Sequence, residues 1–181
     1  MHDDRQRSMS DDGSDAELAR LAQRGDRDAF AELYRRYARV VHGILLARLP
    51  WHEVEDQSQE VFIAAFHRLA NLRDPGAFGR WLCAIARNRA TEFHRTSTAI
   101  EELREETGAT RDRDGAEAAE ALAAIRALPE SYRETMLLRL VEGLTGPEIA
   151  ARTGLTHGSV RVNLHRGMEL LRRALGKELQ S

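Results

Sequence analysis

The sequence predicts an all-α protein: two small helical domains joined by a flexible acidic linker, the C-terminal one containing a helix-turn-helix. Three observations carry that expectation. Ala, Leu, Arg and Glu dominate the 181 residues, while aromatics make up 6% and prolines number four, a composition that favours helix over sheet. Apolar residues recur at three- and four-residue steps through most of the chain. Near the end, "TGPEIAARTGLTHGSVRVNLHRGMELLRR" (145–173) reads as two amphipathic segments around a glycine turn.

Each element has its own signal. Residues 1–14 are polar, acidic and without periodicity, and are predicted to be a disordered tail. The first domain is expected over 15–97. From Asp26 onward Phe30, Leu33, Tyr34, Tyr37, Val40, Val41, Ile44 and Leu45 form one stripe of a helix that stops before Pro50. A second helix, about Glu53 to Leu69, puts Val54, Val61, Phe62, Ala65, Phe66 and Leu69 inward and leaves Asp56, Gln59 and Glu60 off the stripe. Asp74 and Pro75 are an N-cap and a first-turn proline for a third helix to about Arg95, with Phe78, Trp81, Leu82, Ile85, Ala86 and Phe93 as its apolar face.

Residues 98–117 lose periodicity and gather charge, as a linker does. The second domain, 118–181, starts with a helix to Leu128 and another from Ser131 to Val141. Thr145 and Glu148 then match a capping box, Gly154 closes the short helix, and Thr156 caps a last helix with Val160, Leu164, Met168, Leu171 and Leu175 as its stripe.

The formal net charge is -2, but the charges are segregated. Residues 16–97 carry thirteen arginines against ten acids, residues 98–117 three against seven, and residues 118–181 nine basic groups against seven acids. Two basic modules around an acidic strip suit selective contact with DNA. The single cysteine, Cys83, excludes an internal disulfide and a zinc site of paired thiolates, and reads as a small buried hydrophobe. No signal peptide or long apolar run is present, which points to a cytoplasmic protein without membrane insertion. Enzyme classes find no support: His2, His42, His52, His67, His94, His157 and His165 are scattered without a metalloprotease spacing, and no glycine-rich phosphate loop occurs. No metal or cofactor is expected.

On the last helix Ser159, Arg161, Val162, His165 and Arg166 lie off the apolar stripe. Arg pairs bidentately with guanine, Ser and His bond bases or phosphates, and Val touches a thymine methyl, so this face fits a major groove. The local spacing alone also fits a plain helical hairpin.

The segment "ALPESYRETMLLRLVEGLTGPEIAARTGLTHGSVRVNLHRGMELLRR" resembles the minus-thirty-five-reading domain of extracytoplasmic-function (ECF) sigma factors of bacterial RNA polymerase. "DAFAELYRRYARVVHGILLARL", "VEDQSQEVFIAAFHRL" and "GAFGRWLCAIARNRATEFHR" resemble the blocks of that family's N-terminal domain in the same order, so the likeness spans about 150 residues.

The resemblance implies a sigma factor that binds core RNA polymerase, directs it to promoter DNA and promotes melting. It implies that Asp56, Gln59 and Glu60 meet the polymerase clamp, with Phe62 supporting their helix. It assigns the minus-ten element to Arg80, Arg87, Asn88, Arg89, His94 and Arg95, and the minus-thirty-five element to Ser159, Arg161, Val162, Asn163, His165 and Arg166. Two departures stand out: "TEFHRTST" holds His94 and Arg95 where relatives carry several basic residues, and Val162 and Asn163 replace a frequent Ser-Arg pair. The linker is expected either near the polymerase active-site channel or as a passive tether. An anti-sigma factor is an expected further partner. The rival reading is a stand-alone helix-turn-helix regulator with an N-terminal dimerisation or sensing bundle.

Overall fold

The computed structural model describes residues 15–101 and 116–178, with side chains placed over 15–96 and 120–176. The expected tail, 1–14, and most of the expected linker lie outside the described residues. Among those described there are eight α-helices and no strand: α1 (15–23), α2 (Arg27–Leu46), α3 (Val54–Arg68), α4 (Phe78–Glu101), α5 (Ala116–Arg126), α6 (Glu130–Leu140), α7 (Gly146–Thr153) and α8 (His157–Glu178).

The N-terminal helices form where their caps and apolar stripes require. Asp26 caps α2, its carboxylate accepting the backbone N–H of Asp28 and Ala29 at 3.0 Å each. Leu33, Tyr37, Val40, Val41, Ile44 and Leu45 then face inward. Their partners are Val61, Phe62 and Ala65 of α3 and Phe78, Leu82, Cys83 and Ala86 of α4. Two expected core aromatics sit at the margin: Tyr34 and Phe66 are 42% and 47% exposed. Each covers a neighbour instead, Tyr34 at 4.4 Å from the Phe62 ring and Phe66 edge-on to Phe30 at 5.0 Å.

α1 has no counterpart in the sequence reading. It carries small inward residues, Ala16, Ala19 and Ala22, and is tied down by polar groups. The Tyr37 hydroxyl donates to Asp15 at 2.7 Å, Arg36 donates to the same carboxylate at 2.6 Å, and the Gln23 amide donates to the carbonyls of Leu69 and Leu72. The far end of α4 also differs, continuing to Glu101 past Arg95. The hydroxyls of Thr91 and Thr96 fold back on the helix there, donating to the carbonyls of Arg87 and Glu92, 3.0 Å each.

The C-terminal helices do not stand apart. α6 lies on α2 as well as on α8, α7 lies on α4, and the buried side chains of both groups make one continuous core. Backbones approach closely at two glycines. A Cβ on Gly43 of α2 would meet the Leu138 side chain of α6 at 2.7 Å, and one on Gly79 of α4 would stand 2.6 Å from both the Arg152 carbonyl and the Tyr37 hydroxyl.

Gly79→Ala tests that approach, because ordinary helix propensity pulls the other way by ~1 kcal/mol in favour of Ala. The close contact predicts a loss of about 1–3 kcal/mol, seen as a lower thermal midpoint. A raised midpoint would show that α4 and α7 do not meet there.

Candidate nucleic-acid and polymerase interfaces

The helix-turn-helix is assembled from local signals. Thr145 and Glu148 form the capping box: the Thr145 N–H donates to the Glu148 carboxylate at 2.7 Å, and the Glu148 N–H donates to the Thr145 hydroxyl at 3.4 Å. Gly154 ends α7 with φ +74°, a left-handed conformation that favours glycine. Thr156 opens α8, accepting the Ser159 N–H at 3.0 Å. α8 buries Val160 and Leu171, and its Gly167 lets the backbone approach Met136 of α6.

That burial leaves an outer face. Ser159, Arg161, Val162, His165 and Arg166 are exposed, with the Ser159 hydroxyl 2.8 Å from that of Thr156 and His165 4.0 Å from Glu169. Arg161 also lines a shallow cavity of about 450 Å³ with Gly146, Pro147, His157, Gly158 and Leu164. Asn163 points elsewhere: it is half-buried, and its amide donates to the Thr135 hydroxyl of α6 at 3.3 Å.

On α3, Asp56, Gln59 and Glu60 are exposed, above the buried Phe62. Glu60 borders a depression of about 320 Å³ shared with Ala64, Arg68, Asn88 and Arg89, so the acidic edge of α3 adjoins the middle of α4. Asn88 and Arg95 are exposed and share a second depression of about 200 Å³. Arg89 is held within its own module, donating to Gln57 at 2.7 Å and Glu92 at 3.4 Å. His94 donates from Nε2 to the Arg48 carbonyl at 2.7 Å, since a carbonyl only accepts.

Two of the expected minus-ten residues are drawn toward the C-terminal helices. The stem of Arg80 crosses Gly154, where a Cβ would lie 2.0 Å from its Cγ. Arg87 forks onto Glu134 of α6, Nε to Oε2 at 3.1 Å and Nη2 to Oε1 at 2.6 Å.

The comparisons with known proteins follow the same division of the chain. The Sigma-70 region 2 family model matches residues 33–100 and the Sigma-70, region 4 model matches residues 118–171. The RNA polymerase sigma factor CarQ of Myxococcus xanthus is 33% identical over 162 residues, covering 84% of this chain and 92% of that protein. The chain belongs to the ECF sigma factor family. The ECF RNA polymerase sigma-E factor of Escherichia coli K12 is 31% identical, covering 90% of this chain and 95% of that one. Among solved structures, CnrH in complex with the cytosolic domain of CnrY shares 26% identity at a TM-score of 0.64, covering 91% and 98% of the two chains. As an ECF sigma factor the protein binds core polymerase, directs it to specific promoters and promotes DNA melting for initiation. No helix among the described residues is long and apolar enough to cross a membrane.

Several residues that organise this sigma factor were not marked by the sequence reading. Glu134 is 8% exposed and also takes Arg48 at 2.9 Å. Burial pushes its carboxyl up, but the Arg87 hydrogen bond and the charges of Arg87 and Arg48 outweigh burial and leave it below the ordinary carboxylate range. Arg87 is correspondingly raised by its bond to Glu134. Glu142, also 8% exposed, bonds His42 of α2 at 2.5 Å, and that bond raises the His42 pKa against the opposing effect of burial. No local pattern marks these pairs, because the partners lie 47 and 100 residues apart.

A raised folded-state pKa for His42 has a definite sign. Its contribution to stability is complete below the ordinary value of 6.5 and fades as pH rises through the folded value. The charged neighbours that set it are Glu142 and Glu55. Thermal midpoints of wild type and His42→Gln, measured across pH, are predicted to differ most below 6.5 and to converge in the alkaline range. A constant gap would show that the pair does not titrate as a unit.

Proposed function

We propose that three surfaces divide the work of initiation. The edge Asp56, Gln59 and Glu60 docks on the polymerase, where acids and an amide pair with arginines. The α4 surface around Asn88, with Arg80, Arg87, Arg89, His94 and Arg95, engages the minus-ten element, an amide bonding the edge of an unstacked base and arginines following the backbone. α8 reads the minus-thirty-five element with Ser159, Arg161, Val162, His165 and Arg166, and Asn163 braces the helix from behind through Thr135. Residues 15–97 and 118–181 act as the two functional domains and 98–117 as their linker.

The observation that most supports this reading is the split of α8. One side packs on α6 and α7, while two arginines, a histidine and an apolar side chain stay exposed on the other. In this reading the chain catalyses nothing itself, needs no cofactor and works in the cytoplasm, where the polymerase is. An anti-sigma factor is a fitting partner, given that CnrH was solved with the cytosolic domain of CnrY.

The test is abortive transcription with purified core polymerase on pooled genomic promoter fragments. Wild type is predicted to yield dependent transcripts and Asp56→Arg to abolish them. Arg161→Ala is predicted to cost about 1–3 kcal/mol of discrimination at one upstream base pair. Transcripts that survive Asp56→Arg unchanged would remove the α3 edge from the polymerase interface, and unchanged upstream preference would remove Arg161 from readout.

A further inference from the structure

The turn between α2 and α3 carries a side chain that neither the core nor the surfaces described above account for. Trp51 is 72% exposed, more than any other large apolar residue among those described. Tryptophan is usually sheltered, because an exposed indole forgoes the burial of a large apolar area. A single 3-10 turn, Trp51–Glu53, leads from Pro50 into α3 and holds the indole outward, its ring edge-on to that of His52 with centroids 5.8 Å apart.

That turn is tied to the end of α4. His94 donates to the carbonyl of Arg48, three residues before Trp51, at 2.7 Å, and Arg95 beside it is exposed. Available positive charge is sparse there. Arg89 is held by Gln57 and Glu92, the Arg48 guanidinium is taken by Glu134 and Glu130, and residues 96–98 are Thr, Ser and Thr. Ile63 and Phe66, the other exposed large apolar residues of α3 and its entry turn, lie roughly two and a half turns or more into that helix. Trp51 is thus a single ring with polar sequence neighbours, His52, Glu53 and Glu55. A protein partner buries a contiguous apolar centre inside a polar rim, whereas an unstacked base needs only one ring face.

The geometry points to Trp51 as a stacking platform for an unpaired promoter base, on the turn that His94 ties to the end of α4. The inference rests on reading α4 as the minus-ten surface and extends that surface onto the α2–α3 turn. Every base has a π face, so stacking adds affinity without choosing a sequence, and it does so only once the base has left the duplex. Trp51 therefore favours the melted strand over the paired one, whereas further arginines would grip the phosphates of both.

The test uses holoenzyme reconstituted from purified core polymerase and full-length wild type, Trp51→Phe or Trp51→Leu, on a promoter fragment that responds to wild type. Phe keeps a ring, and Leu keeps only apolar bulk. All three chains should show the same thermal midpoint and the same affinity for core polymerase, because the indole is no part of the core. Open complexes, read by permanganate reactivity of unpaired thymines, should fall about tenfold in Trp51→Leu, the order of one lost base stack, and about threefold at most in Trp51→Phe. On a pre-opened template, abasic sites are then stepped through the unpaired minus-ten strand. At one position the missing base should weaken wild type about tenfold and leave Trp51→Leu unaffected.

Undiminished open complexes in Trp51→Leu, or abasic losses equal in both chains at every position, overturn the inference. Weaker binding of Trp51→Leu to core polymerase overturns it as well, moving the ring to the protein interface that Asp56 shares five residues on. Failure of the α4 reading shows separately, as Asn88→Ala holoenzyme that opens the promoter as well as wild type does.

Discussion

The Glu134 carboxylate, buried at the meeting point of α2, α4 and α6, is the interaction on which the arrangement of the two halves depends. Taking a carboxylate out of water costs several kcal/mol, so it must be met by charge and hydrogen bonds of good geometry. Arg87 supplies a fork and Arg48 a third bond. Arg48 is itself fixed, donating to the Ile44 carbonyl at 3.2 Å while its own carbonyl accepts His94. Among the described residues no buried side-chain nitrogen or oxygen lacks a partner. The carboxylate therefore specifies one docking position, because a shift of either half would strand it.

The end of α2 shows the same dependence from the backbone side. A helix leaves its last carbonyls without internal partners and with a partial negative charge, which cations satisfy well. α2 has no basic residue in its last turn, and Arg126 and Arg133 from the other half serve Leu46 and Ala47. Burial lowers the Arg126 pKa, with the Arg133 charge adding to it, so the contact is made at some electrostatic cost. The C-terminal helices thus complete the N-terminal ones, while Asp56, Gln59 and Glu60 on α3 and Ser159, Arg161, Val162, His165 and Arg166 on α8 stay exposed. The same packing engages two arginines of α4, Arg80 against Gly154 and Arg87 on Glu134.

Local features were legible in the sequence for a physical reason: they are satisfied within a few residues. The capping box at Thr145, the left-handed Gly154, the Asp26 and Asp74 caps and the stripe of α2 each need nothing distant. Exposure of Asp56, Gln59 and Glu60 followed from their place off the α3 stripe. α1 escaped because its inward face is mostly alanine and its anchors, Asp15 to Tyr37 and Gln23 to Leu69, are polar bonds to residues far along the chain. α4 runs past Arg95 to Glu101, beyond Phe93, the last residue of the apolar stripe that marks it in the sequence. The family likeness assigns Asn163 to the minus-thirty-five element, and the spacing alone does not show that its amide donates to Thr135. The engagement of Arg87 by Glu134 belongs to the same class, since any acid within reach satisfies an arginine and spacing does not say which.

A double-mutant cycle on Arg87 and Glu134, read by chemical unfolding of the full chain, tests the central claim most directly. If the pair is the buried bond that docks the halves, either alanine substitution alone costs about 3–5 kcal/mol, and the second adds far less once the first is present. Costs that simply add, with a coupling energy near zero, would contradict the account.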